Sequence, residues 1–84
     1  MSKFNKLIDK ARNSSENITF DELRYLFENC GFINRGQEGS HVVYKYRGTP
    51  AVSYSIQCGK SGKAKAYQVK WLIDWFDENN NNQQ

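Results

Sequence analysis

Residues 18 to 32, ITFDELRYLFENCGF, constrain this chain more than any other stretch, because they carry a complete set of signals for one helix. Thr19 followed by Glu22 fits a capping box, and Ile18 with Leu23 fits the hydrophobic staple beside it. Phe20, Leu23, Leu26, Phe27 and Cys30 recur at helical spacing and predict one buried stripe. Gly31 suits the left-handed position after a helix, with Phe32 folding back on Phe27.

The flanking chain reads more simply. Phe4, Leu7, Ile8 and Ala11 fall on one helical face, and Asn13 to Asn17 breaks that helix. After Gly31, Phe32 and Ile33 begin a short strand, and Gly36 to Gly39 reads as a turn. His41 to Arg47 alternates, with Val42, Tyr44 and Tyr46 on one face and His41, Val43, Lys45 and Arg47 on the other. Arg47 to Pro50 is a turn, after which Val52, Tyr54 and Ile56 alternate with Ser53, Ser55 and Gln57. Cys58 to Ala64 reads as a mobile basic loop. A last helix is expected from about Ala66 to Glu78, with Val69, Leu72, Ile73 and Phe76 as its stripe. Asn79 to Gln84 reads as a frayed polar tail.

The expected fold class is α+β: an α-β-β-β-α core, a three-stranded antiparallel sheet with helices on one face, and an N-terminal accessory helix. By element order this is the architecture of double-stranded-RNA-binding domains. The 84 residues make one domain, with the accessory helix at about 3–12, the core at about 19–78 and the tail at 79–84. Tyr44, Tyr46 and Tyr54 belong with the core. Trp71 and Trp75 either complete it or present an aromatic edge to a partner.

Charge is distributed unevenly. Residues 1–31 carry five basic and five acidic groups, whereas residues 32–70 carry seven basic groups against Glu38 alone. The middle of the chain thus makes a positive field that attracts a polyanion. No run approaches the ~18 apolar residues of a membrane span, and the first residues open no signal peptide. Cys30 and Cys58 lack metal-ligand spacing and read as reduced thiols, so a cytoplasmic location without membrane association is expected.

His41 is the sole histidine. It follows Gly39-Ser40, where glycine permits close approach of another backbone, and shares a strand face with Lys45 and Arg47. With so few carboxylates, a paired-acid site or two-metal clamp is hard to assemble, and one histidine excludes most zinc designs. No cofactor is expected. Imidazole can accept or donate a proton, and RNA carries its own nucleophile, the 2′-hydroxyl. Lys60, Lys63 and Lys65, with Arg35 and Arg47, suit phosphate contacts.

Phe20-Asp21-Glu22-Leu23 through Cys30-Gly31-Phe32, then Arg35, Gly39-Ser40-His41 and Val43-Tyr44-Lys45, resembles the HicA family of toxin–antitoxin systems. Lys65-Ala66-Tyr67-Gln68-Val69-Lys70 is similar to that family's stretch before its last helix, so the resemblance spans roughly residues 19 to 76. It implies a small toxin that cleaves mRNA, a metal-independent endoribonuclease neutralised by a HicB-like antitoxin, as a homo-oligomer or a toxin–antitoxin hetero-oligomer. It also implies His41 as the catalytic residue, with Arg35, Gly39, Ser40, Lys45, Arg47, Lys60, Lys63 and Lys65 contacting RNA. Two departures stand out. Tyr54-Ser55-Ile56-Gln57-Cys58 replaces the Pro-x-His element of many relatives, so His41 serves both proton transfers or Lys45 or a lysine of the 60–65 loop assists the leaving group. The helix before Ile18 is also additional. The competing readings are a passive RNA-binding module and a protein-interaction domain without catalysis.

Overall fold

The computed structural model describes residues 2–82. Helix α1 spans Lys3–Asn13, α2 Phe20–Asn29 and α3 Ala66–Asn82, while β1 covers Phe32–Glu38, β2 His41–Tyr46 and β3 Ser53–Gln57. The strands form one antiparallel sheet in the order β1-β2-β3. The α-β-β-β-α core with its preceding helix is the architecture the element order predicts.

Local signals explain α2 almost entirely. Thr19 Oγ1 accepts from the Glu22 N–H at 3.1 Å, and Glu22 Oε1 accepts from the Thr19 N–H at 3.0 Å, which closes the capping box. Ile18 and Leu23 are fully buried beside it. Gly31 has φ of 101°, a conformation that L side chains resist, and Phe32 then packs edge-on against Phe27 at 5.0 Å. Gly31 matters for a second reason: a Cβ there would lie 3.1 Å from the Tyr46 ring. A Cβ on Gly48 would come within 2.7 Å of the same ring, so two glycines leave room for one tyrosine.

Both core helices cover the tyrosine face of the sheet. Phe27 of α2 stacks on Tyr44 and Tyr54, and Trp71 of α3 stacks on Tyr54 with ring centroids 3.9 Å apart. Trp75 meets Tyr46 at 4.7 Å and Phe32 at 4.9 Å, edge to face in each case. The expected assignment of the tyrosines to the core therefore holds. Trp71 and Trp75 are half-buried and finish the same cluster. Such pairs each add about 0.5–1.5 kcal/mol beyond the area they bury.

Helix α1 proves to be part of that core rather than an appendage. Its Leu7, Ile8 and Ala11 are buried, and Phe4 packs edge-on against Phe76 of α3. Arg12 forms a two-pronged ion pair with Asp77 on α3, while Lys10 reaches Glu22 on α2 at 3.3 Å. One short amphipathic helix thus ties together the two that cover the sheet. The guanidinium holds the Asp77 carboxyl below the usual carboxylate range by hydrogen bonding.

Three boundaries differ from the sequence reading. The turn expected at Gly36 to Gly39 is instead the end of β1, which continues through Glu38, and the reversal is made by Gly39 and Ser40 alone. The cause is a β-bulge: Arg35 and Gly36 together oppose Val43, with Asn34 paired to Tyr44 and Gln37 to Val42. Gly36 takes φ of 120° there, and its N–H donates to the Asn34 side-chain oxygen at 2.8 Å.

The basic loop expected to be mobile is tied down at both ends of the segment. Gly59 N–H donates to Lys63 O at 2.7 Å and Ala64 N–H to Ile18 O at 2.9 Å, around a short 3₁₀ turn at Lys60–Gly62. Finally, α3 passes its expected end near Glu78 and runs to Asn82, with the Asn79 side chain donating to Trp75 O at 2.8 Å. The expected tail at 79–84 is thus helical as far as Asn82; Gln83 and Gln84 lie outside the described residues.

Candidate nucleic-acid interface and imidazole site

The sheet face opposite the helices carries the residues of interest. Cross-strand register arranges them in three rows. Glu38, His41 and Gln57 form the first row, and the Arg35–Gly36 bulge, Val43 and Ser55 form the second. Ile33, Lys45 and Ser53 form the third. Only Val43 and Ile33 are apolar here, and Ile33 is 41% exposed. A face with this composition gains nothing by burial under a helix.

His41 opens β2 and is exposed. Its neighbours across the sheet are chemically opposite. On the β1 side lies Glu38, its partner across the two-residue Gly39-Ser40 hairpin. Gly39, with φ of 62°, supplies the positive φ that such a hairpin needs at its first central residue. On the β3 side lies Gln57, whose side chain is fixed at both ends. Its Nε2 donates to Ser40 Oγ at 2.7 Å, and its Oε1 accepts from Lys65 Nζ at 3.0 Å. Its backbone N–H donates to the Oε1 of Gln68, a buried polar side chain of α3, at 3.1 Å. A continuous hydrogen-bonded chain, Ser40–Gln57–Lys65, therefore runs past the strand position of the imidazole.

The bulge determines that His41 meets an acid, Glu38, on the open face rather than the amide of Gln37. Counting alternately along β1 from the buried Phe32 would put Glu38 on the helix side and Gln37 opposite His41. The extra residue reverses that parity and delivers Glu38 to the open face. Bulges that re-aim side chains are common beside functional sites. Over the bulge lies a shallow depression of about 390 Å³, lined by Arg35, Gly36, Gln37, Glu38, Val43, Lys45 and Ser53. His41 is not among its lining residues.

The predicted site residues thus divide in space. Gly39, Ser40 and His41 sit together at one end of the sheet, with Lys65 linked to them through Gln57. Lys60 and Lys63 are exposed on the loop that leaves the same end of β3. Arg35 and Lys45 border the depression in the middle. Arg47 lies beyond the far end of β2, six residues from His41, which at strand rise is about 20 Å.

Two residues at this site were not singled out as site residues by sequence reasoning, Glu38 and Gln57. The first was legible in principle, since a two-residue Gly39-Ser40 turn forces Glu38 and His41 to face each other. The second had no signal, because pairing of β3 with β2 depends on a loop without a fixed register. The thiols stand apart: burial pushes Cys30 up to about 12, and Cys58 is exposed. Among the described residues, no group of three or more His, Cys, Asp and Glu is placed to hold a metal ion. No helix among them is long and apolar enough to cross a membrane.

No protein-family model, curated protein or solved structure matches the chain. The chain has a small α+β fold with the element order of double-stranded-RNA-binding domains, one sheet face sealed by helices and the other open and polar, with Arg35 and Lys45 as its cations.

Proposed function

We propose that residues 1–84 act as one domain and form a HicA-like toxin, a cytoplasmic mRNA endoribonuclease whose His41 moves the proton of the RNA 2′-hydroxyl. The observation that carries this reading is the position of His41: exposed on the uncovered sheet face, beside a turn and loop supplied with lysines. RNA drawn to the cationic face meets an imidazole that no helix covers. His41 takes the 2′-hydroxyl proton, and the 2′-oxygen attacks the adjacent phosphorus. The bond to the 5′-oxygen of the next nucleotide breaks, leaving a 2′,3′-cyclic phosphate and a 5′-hydroxyl end. Arg35, Lys45, Lys60, Lys63 and Lys65 neutralise phosphates along the path, with Gly39 and Ser40 admitting the backbone and Arg47 reaching a more distant phosphate. A HicB-like antitoxin is the partner that silences this activity.

Incubating the purified protein with an mRNA in EDTA, alongside the His41→Ala variant, tests the reading. Cleavage should persist in chelator and fall by about 100-fold or more in the variant while its thermal melt stays unchanged. Equal degradation by a folded variant would remove His41 from the chemistry.

One observation favours a second reading, a passive RNA-binding module: the Arg35–Lys45 depression excludes His41 from its lining. Such a module would hold RNA intact, with affinity that falls with salt and is indifferent to His41.

A further inference from the structure

We propose that Lys65 is the proton donor to the leaving oxygen in this cleavage, and that Gln57 is the positioning residue that holds its ammonium beside His41. The inference rests on the ribonuclease reading above and supplies the second half of its proton transfer.

Register comes first. Gln57 is the β3 residue paired with His41, and adjacent strands lie roughly 4.8 Å apart. Both residues belong to the open face, so whatever Gln57 holds stands next to the imidazole's strand position. What it holds is an ammonium: Lys65 Nζ donates to Gln57 Oε1 at 3.0 Å. The amide cannot turn over without loss. Lysine has donors only, so the oxygen must face Lys65 and the NH₂ must face Ser40 Oγ, 2.7 Å away. From below, Gln68 fixes the Gln57 backbone at 3.1 Å and is itself buried and bonded to the Tyr67 hydroxyl at 3.2 Å.

Gly59 shapes the turn that leads into this lysine, because a side chain there would run into the Lys63 backbone, whereas its distance from Lys65 itself is an ordinary contact. A Cβ on Gly59 would sit 3.5 Å from Lys65 Cγ and 2.9 Å from the Lys63 carbonyl oxygen. Lys60 and Lys63, on the same loop, are exposed, whereas Lys65 is half-buried and held. One of its three N–H groups is spent on Gln57, which leaves two for a substrate.

The proton balance is complete. The 2′-hydroxyl gives its proton to His41 as the 2′-oxygen–phosphorus bond forms. The phosphorus–5′-oxygen bond breaks, and the departing oxygen takes a proton from Lys65 Nζ. The protein is left with an imidazolium and a neutral amine, which exchange protons with water before the next turnover.

The test uses two short RNAs, one ordinary and one with sulfur replacing the bridging 5′-oxygen at the linkage the wild type cuts. A thiolate leaves without protonation, so this substrate needs the base and not the acid. At saturating RNA, where a lost phosphate contact of Lys65 no longer affects the rate, Lys65→Met and Lys65→Arg should cut ordinary RNA about 100-fold more slowly and the sulfur substrate at close to the wild-type rate. Lys65→Arg is decisive because it keeps the charge and holds its proton permanently. Gln57→Leu should show a smaller loss on ordinary RNA with the same rescue, and His41→Ala should be slow on both substrates. Full activity of Lys65→Arg on ordinary RNA, or equal slowing of Lys65→Met on both, would overturn the inference and leave the ribonuclease reading intact. A wild type that cuts neither substrate would instead remove the reading on which it stands.

Discussion

The two faces of this sheet are built on opposite principles. On the covered face, Tyr44, Tyr54, Phe27 and Trp71 form a run of stacked rings, and Phe32, Tyr46 and Trp75 close it at one side. Apart from Tyr44, which stacks on Phe27 alone, each ring is held by at least two others. Even the buried Tyr44 hydroxyl is satisfied: it donates to Glu28 at 2.8 Å and accepts from Arg24 at 3.3 Å. On the open face, the same three strands present Glu38, His41, Lys45, Ser53, Ser55 and Gln57, which make few contacts with one another. Stability is concentrated on one side and chemistry on the other. Substitutions on one face should therefore leave the property of the other untouched.

The largest effect should come from Phe27→Ala. Phe27 is fully buried at the centre of the ring stack, and removing such a side chain costs about 3–5 kcal/mol. Urea denaturation should show this as a lower midpoint, and any loss of RNA activity should be recovered under conditions that refold the variant. Ala at position 41 is the converse. His41→Ala should reduce cleavage by about 100-fold or more, while stability changes by less than about 0.5 kcal/mol. A large stability loss there would show that the faces are not independent.

Smaller effects sharpen the division within the open face. If single-stranded RNA crosses the depression, Arg35→Ala and Lys45→Ala should each reduce the slope of log affinity against log salt by about 0.7. Titrations at several salt concentrations measure this, and an unchanged slope would place RNA elsewhere. His41→Ala should leave the slope intact.

The smallest effect lies far from the sheet, in the ties of α1. Asp77 is held below its ordinary range by the hydrogen bond from Arg12. For Glu22, desolvation acts upward but is outweighed by the Thr19 and Lys10 contacts, so its carboxyl also lies low. A carboxyl depressed on folding adds stability that is full above its unfolded pKa and is lost as pH falls through the lower folded value. Asp77→Asn should therefore flatten part of the acid side of the stability–pH curve by slightly lowering stability at neutral pH while leaving it unchanged in strong acid. Both partners are largely exposed, so the effect at pH 7 is that of a surface pair.

Much of this molecule was legible in the chain, and the reason is physical. The capping box at Thr19 and Glu22, the stop at Gly31 and the alternation of Val42, Tyr44 and Tyr46 depend on residues within a turn or two of each other. Their partners are specified by spacing, and α2, β2 and the identity of the buried face follow from it. The candidate base was legible too, because a lone histidine beside Gly39-Ser40 needs no partner to be noticed. Helix α1 could be predicted from its stripe, although nothing in the stripe said that it would bridge α2 and α3.

What only the tertiary structure decided is how distant segments are brought into register. A single bulge at Arg35–Gly36 reconciles the buried Phe32 with Glu38 on the open face, a change of parity that counting along β1 does not reveal even though the Gly39-Ser40 turn pairs Glu38 with His41. The meeting of Ser40, Gln57 and Lys65 depends on β3 pairing with β2 and on the loop from Cys58 folding back to Ile18. Spacing along a chain specifies its neighbours along a helix or strand. Neighbours across strands are chosen by hydrogen-bond register and packing, which exist only once the sheet has formed.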